Sequence, residues 1–383
     1  MSGKPEVGVG IVGYGLTGRA HAYGYTVAPH VRELPCTPRL RVMSGRNEEA
    51  VAAAAARYGV GEWTTDWRDV VASPDVQIVD VCTPPGTHAE IVEAAVASGK
   101  AVLCEKPLAA DYTSAATAAN AAAAAGVPNA IGFNYRRLPA LALMKRLVDE
   151  GRVGDVLLWR AVWMSDEFLD RDIPFDWRFE RALGASTISD LGAHLIDLAL
   201  WLVGDIESVA AQSETFTRER SGRAVDVDEA SSALVRFGGG ARGALELARV
   251  FARRPCDFFV EVNGTDGTLR FDYPSLNELW YGDARDDERF YGLRRIRAEH
   301  PAHPYAAEWW PIGQGIGYGV TFVNQAADLL EHWPNGPWEP DLQQGARVQA
   351  VCEAMERAAA ERGWVDVAEI LDKRPVGPIE PIA

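Results

Sequence analysis

Four ionisable residues occupy positions from which they could take part in proton transfer. The apolar run AVLCEKP ends in Glu105 and Lys106, and the carboxyl end of a strand is the edge at which open α/β sheets bind ligands. Asp190 and His194 are four residues apart in SDLGAHLIDL, so on a helix both side chains would lie on one face. An imidazole, with an unperturbed pKa of ~6.5, can accept a proton near neutrality, and an ammonium can stabilise a developing alkoxide. These residue types suit chemistry at a hydroxyl group.

The same residues also allow a purely structural interpretation. Lys106 could be a solvated strand end, and an Asp–His pair on a helix is often a surface pair. Asp197, three residues beyond His194, is an alternative partner for the imidazole. The residues alone therefore leave the catalytic and the structural interpretation open.

A glycine-rich turn near the N-terminus is the second chemical feature. In VGIVGYGLTGRA, Gly13, Gly15 and Gly18 form GxGxxG after a strand-like run and at the start of a helix. In such a turn the first glycine permits the tight bend, the second lets the backbone approach a pyrophosphate, and the third allows close helix–strand packing. The free N–H groups of the helix N-terminus would face the phosphates. A lone GxGxxG can be an ordinary turn, but here it opens a series of strands and helices, and it predicts a dinucleotide site.

The end of the second predicted strand bears on which dinucleotide binds. NAD is usually held there by an acidic residue that accepts the ribose 2′-OH. This sequence has Ser44, Gly45 and Arg46 instead. A hydroxyl and a guanidinium could hold a 2′-phosphate, which slightly favours NADP, whereas an arginine that stacks on the adenine would suit either cofactor. The choice between NAD and NADP stays open.

The elements that must position these residues fall into two groups. In the first third of the chain, apolar runs alternate with helical patterns, which indicates βαβ crossovers and a buried parallel sheet. The predicted strands are 7–13, 39–45, 76–84 and 101–107, and the predicted helices include Thr17–Tyr25 and 111–126.

After about residue 133 the pattern changes to closely spaced strands with glycine turns, which favours an antiparallel sheet. A predicted amphipathic helix over 189–204 carries Asp190 and His194, and a last helix is expected over Gln343–Arg362. We therefore predict an α/β Rossmann domain over 1–132 and an α+β domain with a largely antiparallel open sheet over 133–383. The predicted strands of the second domain are VLLWRAVWM, SSALVRF, RGALELARVF, FFVEVNG and GTLRFDY.

Composition narrows the partners and the compartment. A net charge of −16 and a pI of about 5.0 disfavour nucleic acid and anionic membranes, both of which would repel the chain. No run reaches the ~18 apolar residues of a membrane span, and the N-terminus does not resemble a signal peptide. Five scattered cysteines and seven histidines show no metal-binding spacing. We expect a soluble cytoplasmic protein without a metal.

Four motifs taken together resemble the glucose–fructose oxidoreductase/inositol dehydrogenase (Gfo/Idh/MocA) family. They are the glycine fingerprint, TPPGTHAEI, the EKP motif and DLGAHLID, and they cover nearly the whole chain. The segments GFNYRRLPA, FDWRFE, PAHPY and GIGYG are most similar to the branch that contains levoglucosan dehydrogenases and glycoside 3-dehydrogenases. Many NAD-using members carry an acid where this chain has Ser44–Arg46, so the resemblance does not decide the cofactor.

The resemblance implies roles for individual residues. Lys106, Asp190 and His194 would line the active site, and the Lys106–Pro107 peptide bond is often cis in relatives. NAD(P) would be held by Gly13, Gly15, Leu16, Thr17, Gly18, Ser44, Gly45, Arg46, Thr83, Pro84, His88, Glu105 and Lys106. Groups suited to a polyol are Asn134, Tyr135, Trp163, Asp176, Arg178, His303 and Tyr305, with Trp163 equally explained by core packing and Arg178 equally by a structural role.

The expected activity is hydride transfer between NAD(P) and a secondary hydroxyl of a sugar, glycoside, anhydrosugar or inositol. One alternative is an NAD-dependent glycosidase that oxidises, eliminates and re-reduces. Another is a biosynthetic ketosugar reductase, and for a nucleotide-linked substrate Arg253 and Arg254 are the obvious cationic pair. A non-catalytic nucleotide-sensing regulator is disfavoured because the lysine and the histidine are both present. Relatives commonly form dimers or tetramers, so a homo-oligomer is expected.

Overall fold

The N-terminal part of the chain forms one parallel sheet. The protein is described by a computed structural model over residues 4–372. The strands are β1 (Glu6–Val12), β2 (Thr37–Ser44), β3 (Glu62–Thr64), β4 (Ile78–Val81), β5 (Ala101–Cys104) and β6 (Asn129–Ile131). The connecting helices are α1 (Leu16–Val31), α2 (Glu48–Tyr58), α3 (Trp67–Ala72), α4 (His88–Ala97) and α5 (Tyr112–Ala125). The strand order β3–β2–β1–β4–β5–β6, with all neighbours parallel, confirms the predicted Rossmann domain.

Local sequence accounts for several of the helix boundaries. The side chains of Asn47, Asp66 and Asp111 cap the first turns of α2, α3 and α5, and each accepts a backbone N–H that would otherwise lack a partner. Gly59 and Gly126 end α2 and α5 in the left-handed conformation that glycine adopts without strain. The short strand β3 was not predicted, because three residues carry too little periodic pattern.

The second sheet is built mainly from antiparallel strands. Its members are β7 (Val156–Met164), β8 (Ile206–Glu214), β11 (Ala230–Phe237), β12 (Arg242–Ala248), β13 (Asp257–Gly264), β14 (Gly267–Asp272), β15 (Glu278–Asp283), β16 (Arg294–Arg297) and β17 (Trp364–Asp366), while β9 (Glu219–Arg220) and β10 (Arg223–Ala224) form a separate hairpin. The order is β16–β15–β14–β13–β7–β12–β11–β8–β17, and among these pairs β7 and β12 are parallel. The predicted largely antiparallel sheet is confirmed, although β8 and the strands after β14 were not predicted.

The helices of this part are α6 (Pro139–Asp149), α7 (Ala193–Leu202), α8 (Val320–Glu331), α9 (Leu342–Glu361) and α10 (Val367–Leu371). The last predicted helix matches α9 to within one residue. A π-helical turn, Ile188–Gly192, precedes α7 and carries Asp190. The helix expected here is present, but eight of the ten residues of α7 are buried. Its predicted amphipathic character is therefore wrong. The reason is that α6, α9 and the second sheet all pack on α7.

Helix α8 joins the two halves and was missed in the sequence. Val323, Ala326 and Leu330 are buried in the same cluster as Ala22 and Tyr25 of α1. The division at residue 132/133 separates the strands of the two sheets, but α8 packs on the N-terminal half. Residues 373–383, assigned to the second domain, lie outside the described residues. Over 4–372, no helix combines the length and apolar character needed to cross a bilayer.

Candidate active site

Lys106 carries its amine from the edge of the first sheet to the second domain. It lies two residues after β5, and the Lys106–Pro107 peptide bond is cis. Its Nζ donates a hydrogen bond of 3.1 Å to the backbone oxygen of Asp190 and a second one to the Asp190 carboxylate. The carboxyl edge of the parallel sheet and the turn that precedes α7 therefore meet at this ion pair.

Asp190 is held between two cations. Its second carboxylate oxygen accepts a hydrogen bond from Nη2 of Arg249. Burial raises the pKa of Asp190, but Lys106 and Arg249 outweigh burial and hold that pKa far below its ordinary value. The group is therefore an ionised carboxylate, and its side chain stays 32% exposed. It can therefore still accept a hydrogen bond from a ligand.

Arg249 was not among the predicted site residues. It follows β12, it is 1% exposed, and its guanidinium lies 4.6 Å from the ring centre of Phe168. In the sequence, Arg249 lies in a predicted strand, RGALELARVF, to which no chemical role was given. The available signal was an arginine in an apolar strand end, because an arginine is rarely buried without an anionic partner.

His194 is a buried imidazole without a hydrogen-bond partner among residues 4–372. Tyr135 packs edge-on against it at 4.7 Å, and Trp163 stacks on it at 5.7 Å between ring centres. Burial lowers the pKa of His194 well below its ordinary value, and the Lys106 charge lowers it further. The ring is therefore neutral near pH 7 and free to accept a proton.

The structure distinguishes between the two proposed partners of His194. Asp190 contributes to the charge around the ring but directs both carboxylate oxygens to Lys106 and Arg249. Asp197 forms a two-pronged ion pair with Arg136, with an Nε–Oδ2 distance of 2.8 Å. Asp197 is thus not the partner of the imidazole, because its oxygens are committed to the arginine.

The glycine fingerprint has the geometry expected of a phosphate-binding turn. Gly13 has a φ of +110°, and a Cβ there would lie 2.5 Å from the Cys82 oxygen. A Cβ on Gly18 would lie 2.1 Å from the Gly13 oxygen, whereas one on Gly15 would meet nothing within 4 Å. Among the residues that the structure describes, no side chain caps α1, so the first N–H groups of the helix, including those of Leu16 and Thr17, remain available to phosphate oxygens. These residues fit a dinucleotide.

The residues at the end of β2, Ser44 to Arg46, provide fewer groups that could bind a 2′-phosphate than their residue types indicated. The Ser44 side chain is buried and its hydroxyl has no hydrogen-bond partner within residues 4–372. Gly45 lies against the Tyr14 ring, and a Cβ there would be 2.1 Å from two ring carbons. Arg46 is exposed. Arg46 is thus the group best placed to meet a phosphate.

Two predicted cofactor residues, His88 and Glu105, form hydrogen bonds to other groups of the protein. His88 is fully buried, with Nε2 2.6 Å from the Thr83 oxygen and Nδ1 2.8 Å from the Pro107 oxygen. It joins the loops that follow β4 and β5. Glu105 binds His21 and the backbone N–H of Lys106. The polar atoms of both side chains bond to protein groups, and their role in dinucleotide binding stays a prediction.

The predicted substrate residues divide by position. Tyr135 and Trp163 pack on His194 and are each 5% exposed. Asn134 donates its amide to Tyr318 and Thr321 at 3.1 and 2.8 Å. Tyr318, which is 38% exposed, was not named as a site residue although it lies in GIGYG.

The other predicted substrate residues lie apart from this cluster. Arg178 pairs with Asp176 at the surface, with an Nη1–Oδ2 distance of 2.9 Å. His303 lies 3.1 Å from Arg146, and Tyr305 donates to Asp328 at 2.8 Å. Their hydrogen bonds satisfy them locally, and within residues 4–372 none of those bonds involves Lys106, Asp190 or His194. Their role in substrate binding stays a prediction.

Comparison with known proteins identifies the family. The profile of the oxidoreductase family with an NAD-binding Rossmann fold matches residues 7–133, and that of the GFO/IDH/MocA C-terminal domain matches residues 141–270. Levoglucosan dehydrogenase from Pseudarthrobacter phenanthrenivorans is 35% identical over 95% of this chain and 99% of its own length. The chain belongs to the Gfo/Idh/MocA oxidoreductase family. The resemblance seen in the motifs is confirmed.

Solved Gfo/Idh/MocA structures share the complete architecture. An oxidoreductase domain protein from Kribbella flavida superposes with a TM-score of 0.93 at 40% identity, over 95% of this chain and 99% of that one. Levoglucosan dehydrogenase in complex with NADH and levoglucosan gives a TM-score of 0.92 at 35% identity, over 94% and 99%. The chain is thus a nicotinamide-dependent oxidoreductase of this family, and the expected enzyme class is confirmed.

Proposed function

We propose that this protein oxidises a secondary hydroxyl of a sugar, glycoside, anhydrosugar or inositol, or reduces the corresponding ketone. The observation that carries the proposal is the arrangement of three groups: the Lys106 amine, the ionised Asp190 and the neutral His194, whose ring has no hydrogen-bond partner within residues 4–372. The named activities of relatives, which include levoglucosan, D-xylose and inositol dehydrogenases, support a carbohydrate substrate.

His194, Lys106 and Asp190 have different roles in the proposed alcohol oxidation. His194 takes the hydroxyl proton, since its lowered pKa keeps the ring unprotonated at working pH. Lys106 donates a hydrogen bond to the substrate oxygen and stabilises the charge that develops as the proton leaves. Asp190 fixes the amine and accepts a hydrogen bond from a substrate hydroxyl. The dinucleotide, when bound beside these groups, supplies the acceptor for the hydride that leaves the carbinol carbon.

A substrate panel tests the proposal. Purified protein is offered NAD⁺ and NADP⁺ in parallel with levoglucosan, glucose, glucosides and inositols, and the reduced dinucleotide is measured by its absorbance. We expect stoichiometric reduction with at least one compound. Cleavage of a glucoside with no net reduction supports the oxidation–elimination glycosidase instead. The corresponding ketones are offered with NADH and NADPH in the same way. No turnover of any compound in either direction contradicts the proposal.

We further propose a slight preference for NADP. The exposed Arg46 and the lack of an acidic residue at 44–46 support it, while a solved relative binds NADH. Arg46→Ala should then weaken NADP⁺ about 10-fold and leave NAD⁺ nearly unchanged. Equal effects on both cofactors, measured as KM, would exclude a 2′-phosphate contact.

Gly15→Ala tests where the dinucleotide lies. The added methyl meets no protein atom within 4 Å, so the fold should be unaffected. If the phosphates approach this backbone, affinity for both dinucleotides should fall about 10-fold or more. Unchanged affinity, with an unchanged melting temperature, would place the dinucleotide elsewhere.

We also propose a homodimer or homotetramer that buries the outer face of the second sheet. Leu158 and Leu234 on that face are 51% and 57% exposed, an apolar surface that association would remove from water. Light scattering on the purified protein measures the mass. A monomer at micromolar concentration contradicts this proposal.

A further inference from the structure

Behind the candidate active site, His21 of α1 lies between two carboxylates. Its Nδ1 is 2.9 Å from each carboxylate oxygen of Asp80, and its Nε2 is 3.1 Å from Oε1 of Glu105. The exposed fractions of His21, Asp80 and Glu105 are 2%, 0% and 7%. Burial alone would lower the pKa of His21, but the charge and hydrogen bond of Asp80, together with those of Cys82, outweigh burial and raise that pKa well above its ordinary value. The ring is therefore a cation that donates from both nitrogens.

The second oxygen of Glu105 reaches the active site. Its Oε2 accepts a hydrogen bond of 3.1 Å from the backbone N–H of Lys106. The amine of the same residue contacts Asp190. A continuous line of hydrogen bonds thus runs from Asp80 in β4 through His21 and Glu105 to the residue that carries the reacting amine.

Gly132 provides the space that this arrangement needs. A Cβ on Gly132 would lie 2.4 Å from Oε1 of Glu105 and 2.9 Å from its carboxyl carbon. Gly132 is not among the glycines with a positive φ, so its backbone does not require glycine. The missing side chain is explained by the Glu105 carboxylate that occupies its place.

Hydrogen bonding, not metal binding, accounts for this cluster. The ligand atoms of His21, Asp80 and Cys82 lie within 4.8 Å of one another. However, the Cys82 thiol donates to Asp80 at 3.2 Å, and burial raises the pKa of that thiol far above its ordinary value. A metal would need a thiolate and a free imidazole nitrogen, and both nitrogens of His21 already bond to carboxylates.

We infer that His21 is a positioning residue for Lys106, acting through Glu105, and that it ties the active-site lysine to the helix that begins at the dinucleotide turn. The inference rests on the proposed function, since it assigns Lys106 to the reaction. It requires the hydrogen bond from Nε2 to Glu105 more than the one from Nδ1 to Asp80.

Two substitutions separate these hydrogen bonds. The amide nitrogen of glutamine falls near the place of Nε2, so His21→Gln keeps a donor for Glu105. The amide nitrogen of asparagine falls near Nδ1, so His21→Asn keeps a donor for Asp80 only. Both remove the positive charge. We expect His21→Asn to lower kcat about 100-fold and His21→Gln less than about 10-fold, with the KM of the dinucleotide unchanged in both.

Control variants distinguish a loss of folding from a loss of Lys106 positioning. Thr26→Val removes an exposed hydroxyl of α1 that bonds to the Ala22 oxygen, and it should leave kcat unchanged. Equal kcat values for the two His21 variants, or a kcat loss in His21→Gln that exceeds the one in His21→Asn, overturn the inference. If neither variant folds, Gly132→Ala takes their place: a similar kcat loss at constant dinucleotide KM supports the inference, and a wild-type kcat overturns it.

Chemical labelling distinguishes failure of this inference from failure of the proposed function. If the wild-type protein turns over no carbohydrate, the proposed function fails, and the position of Lys106 is read from the rate at which acetic anhydride labels its amine. Faster labelling in His21→Asn than in His21→Gln and the wild type supports the positioning role. Equal rates in all three proteins overturn it.

Discussion

Two buried histidines on either side of Lys106 have opposite electrostatic surroundings. His194, at the start of α7, lies near the Lys106 amine, and both burial and that charge lower its pKa. His21, in α1, is also buried, but the Asp80 carboxylate raises its pKa well above the ordinary value. One ring has no hydrogen-bond partner within residues 4–372, and the other uses both nitrogens.

The difference fits the roles proposed for the two residues, His194 in the reaction and His21 in positioning Lys106. A neutral ring with free nitrogens can accept a proton from a substrate, whereas a charged ring with both nitrogens donating cannot. Burial is common to the two sites, so burial alone does not mark a catalytic histidine. The charge of the neighbouring groups and the number of satisfied hydrogen bonds do.

The largest effect is expected when one of the two proposed reactive residues, Lys106 or His194, is removed. Lys106→Ala or His194→Ala should cut turnover by ~10²–10⁴-fold, because each removes a group that handles the proton or the developing charge. Steady-state kinetics measures this loss, and fluorescence titration should show dinucleotide affinity largely intact. Near-normal turnover in both variants rejects the assignment.

A smaller effect is expected at the carboxylate between the two cations. Asp190→Asn keeps the shape of the side chain but leaves Lys106 and Arg249 without their counter-charge, so kcat should fall about 10- to 100-fold. Asp205→Asn, in which a strongly exposed carboxylate is neutralised, is the matched control. Equal kcat values for the two variants would show that Asp190 does not orient the amine.

The pH dependence of the wild-type enzyme sharpens the comparison further. A lowered pKa means that His194 gains its proton only at a pH below the ordinary value, so the acidic limb of kcat/KM should lie below pH ~6.5. At pH ~6.5 the activity should remain within about twofold of its maximum. An acidic limb above that pH would contradict a neutral His194 in the resting enzyme.

The smallest expected effect concerns the stability supplied by His21. Because its pKa is raised in the folded state, this stabilisation is complete below the unfolded pKa of ~6.5 and is lost as pH rises through the folded pKa. The melting temperature of the wild type should therefore exceed that of His21→Gln by a few degrees at about pH 6 and by less at about pH 10. Tyr25 and Cys82, which also face Asp80, titrate in both proteins. A gap that widens with pH would contradict a charged His21.

Much of the fold could be predicted because its signals are local. The fingerprint at Gly13–Gly18 and the alternation of strands with helices predicted the parallel sheet that the structure contains. Glycine turns and closely spaced strands predicted the second sheet. Helix α8 was missed because it packs on α1 of the first domain, which is far away in the sequence. Strand β3 was missed because three residues are too few to show a period.

The candidate site was only partly accessible to the same reasoning. Lys106, Asp190 and His194 were named from motifs, and the structure brings them together. Arg249 and Tyr318 were not: the one signal for Arg249, an arginine at the end of an apolar strand, was not used, and the GIGYG segment that holds Tyr318 was used only for the family resemblance. His88 and Glu105 were assigned to the dinucleotide, but the structure commits their polar atoms to protein groups.

By itself, the sequence determined many of the element types, the glycine turn and the identity of the groups able to move a proton. These depend on residues close in the chain, where backbone preference and periodicity act. Only the tertiary structure decided which histidine is neutral and which is charged. Protonation depends on burial and on charges brought close from far along the chain: residue 106 beside 194, and residues 80 and 105 beside 21.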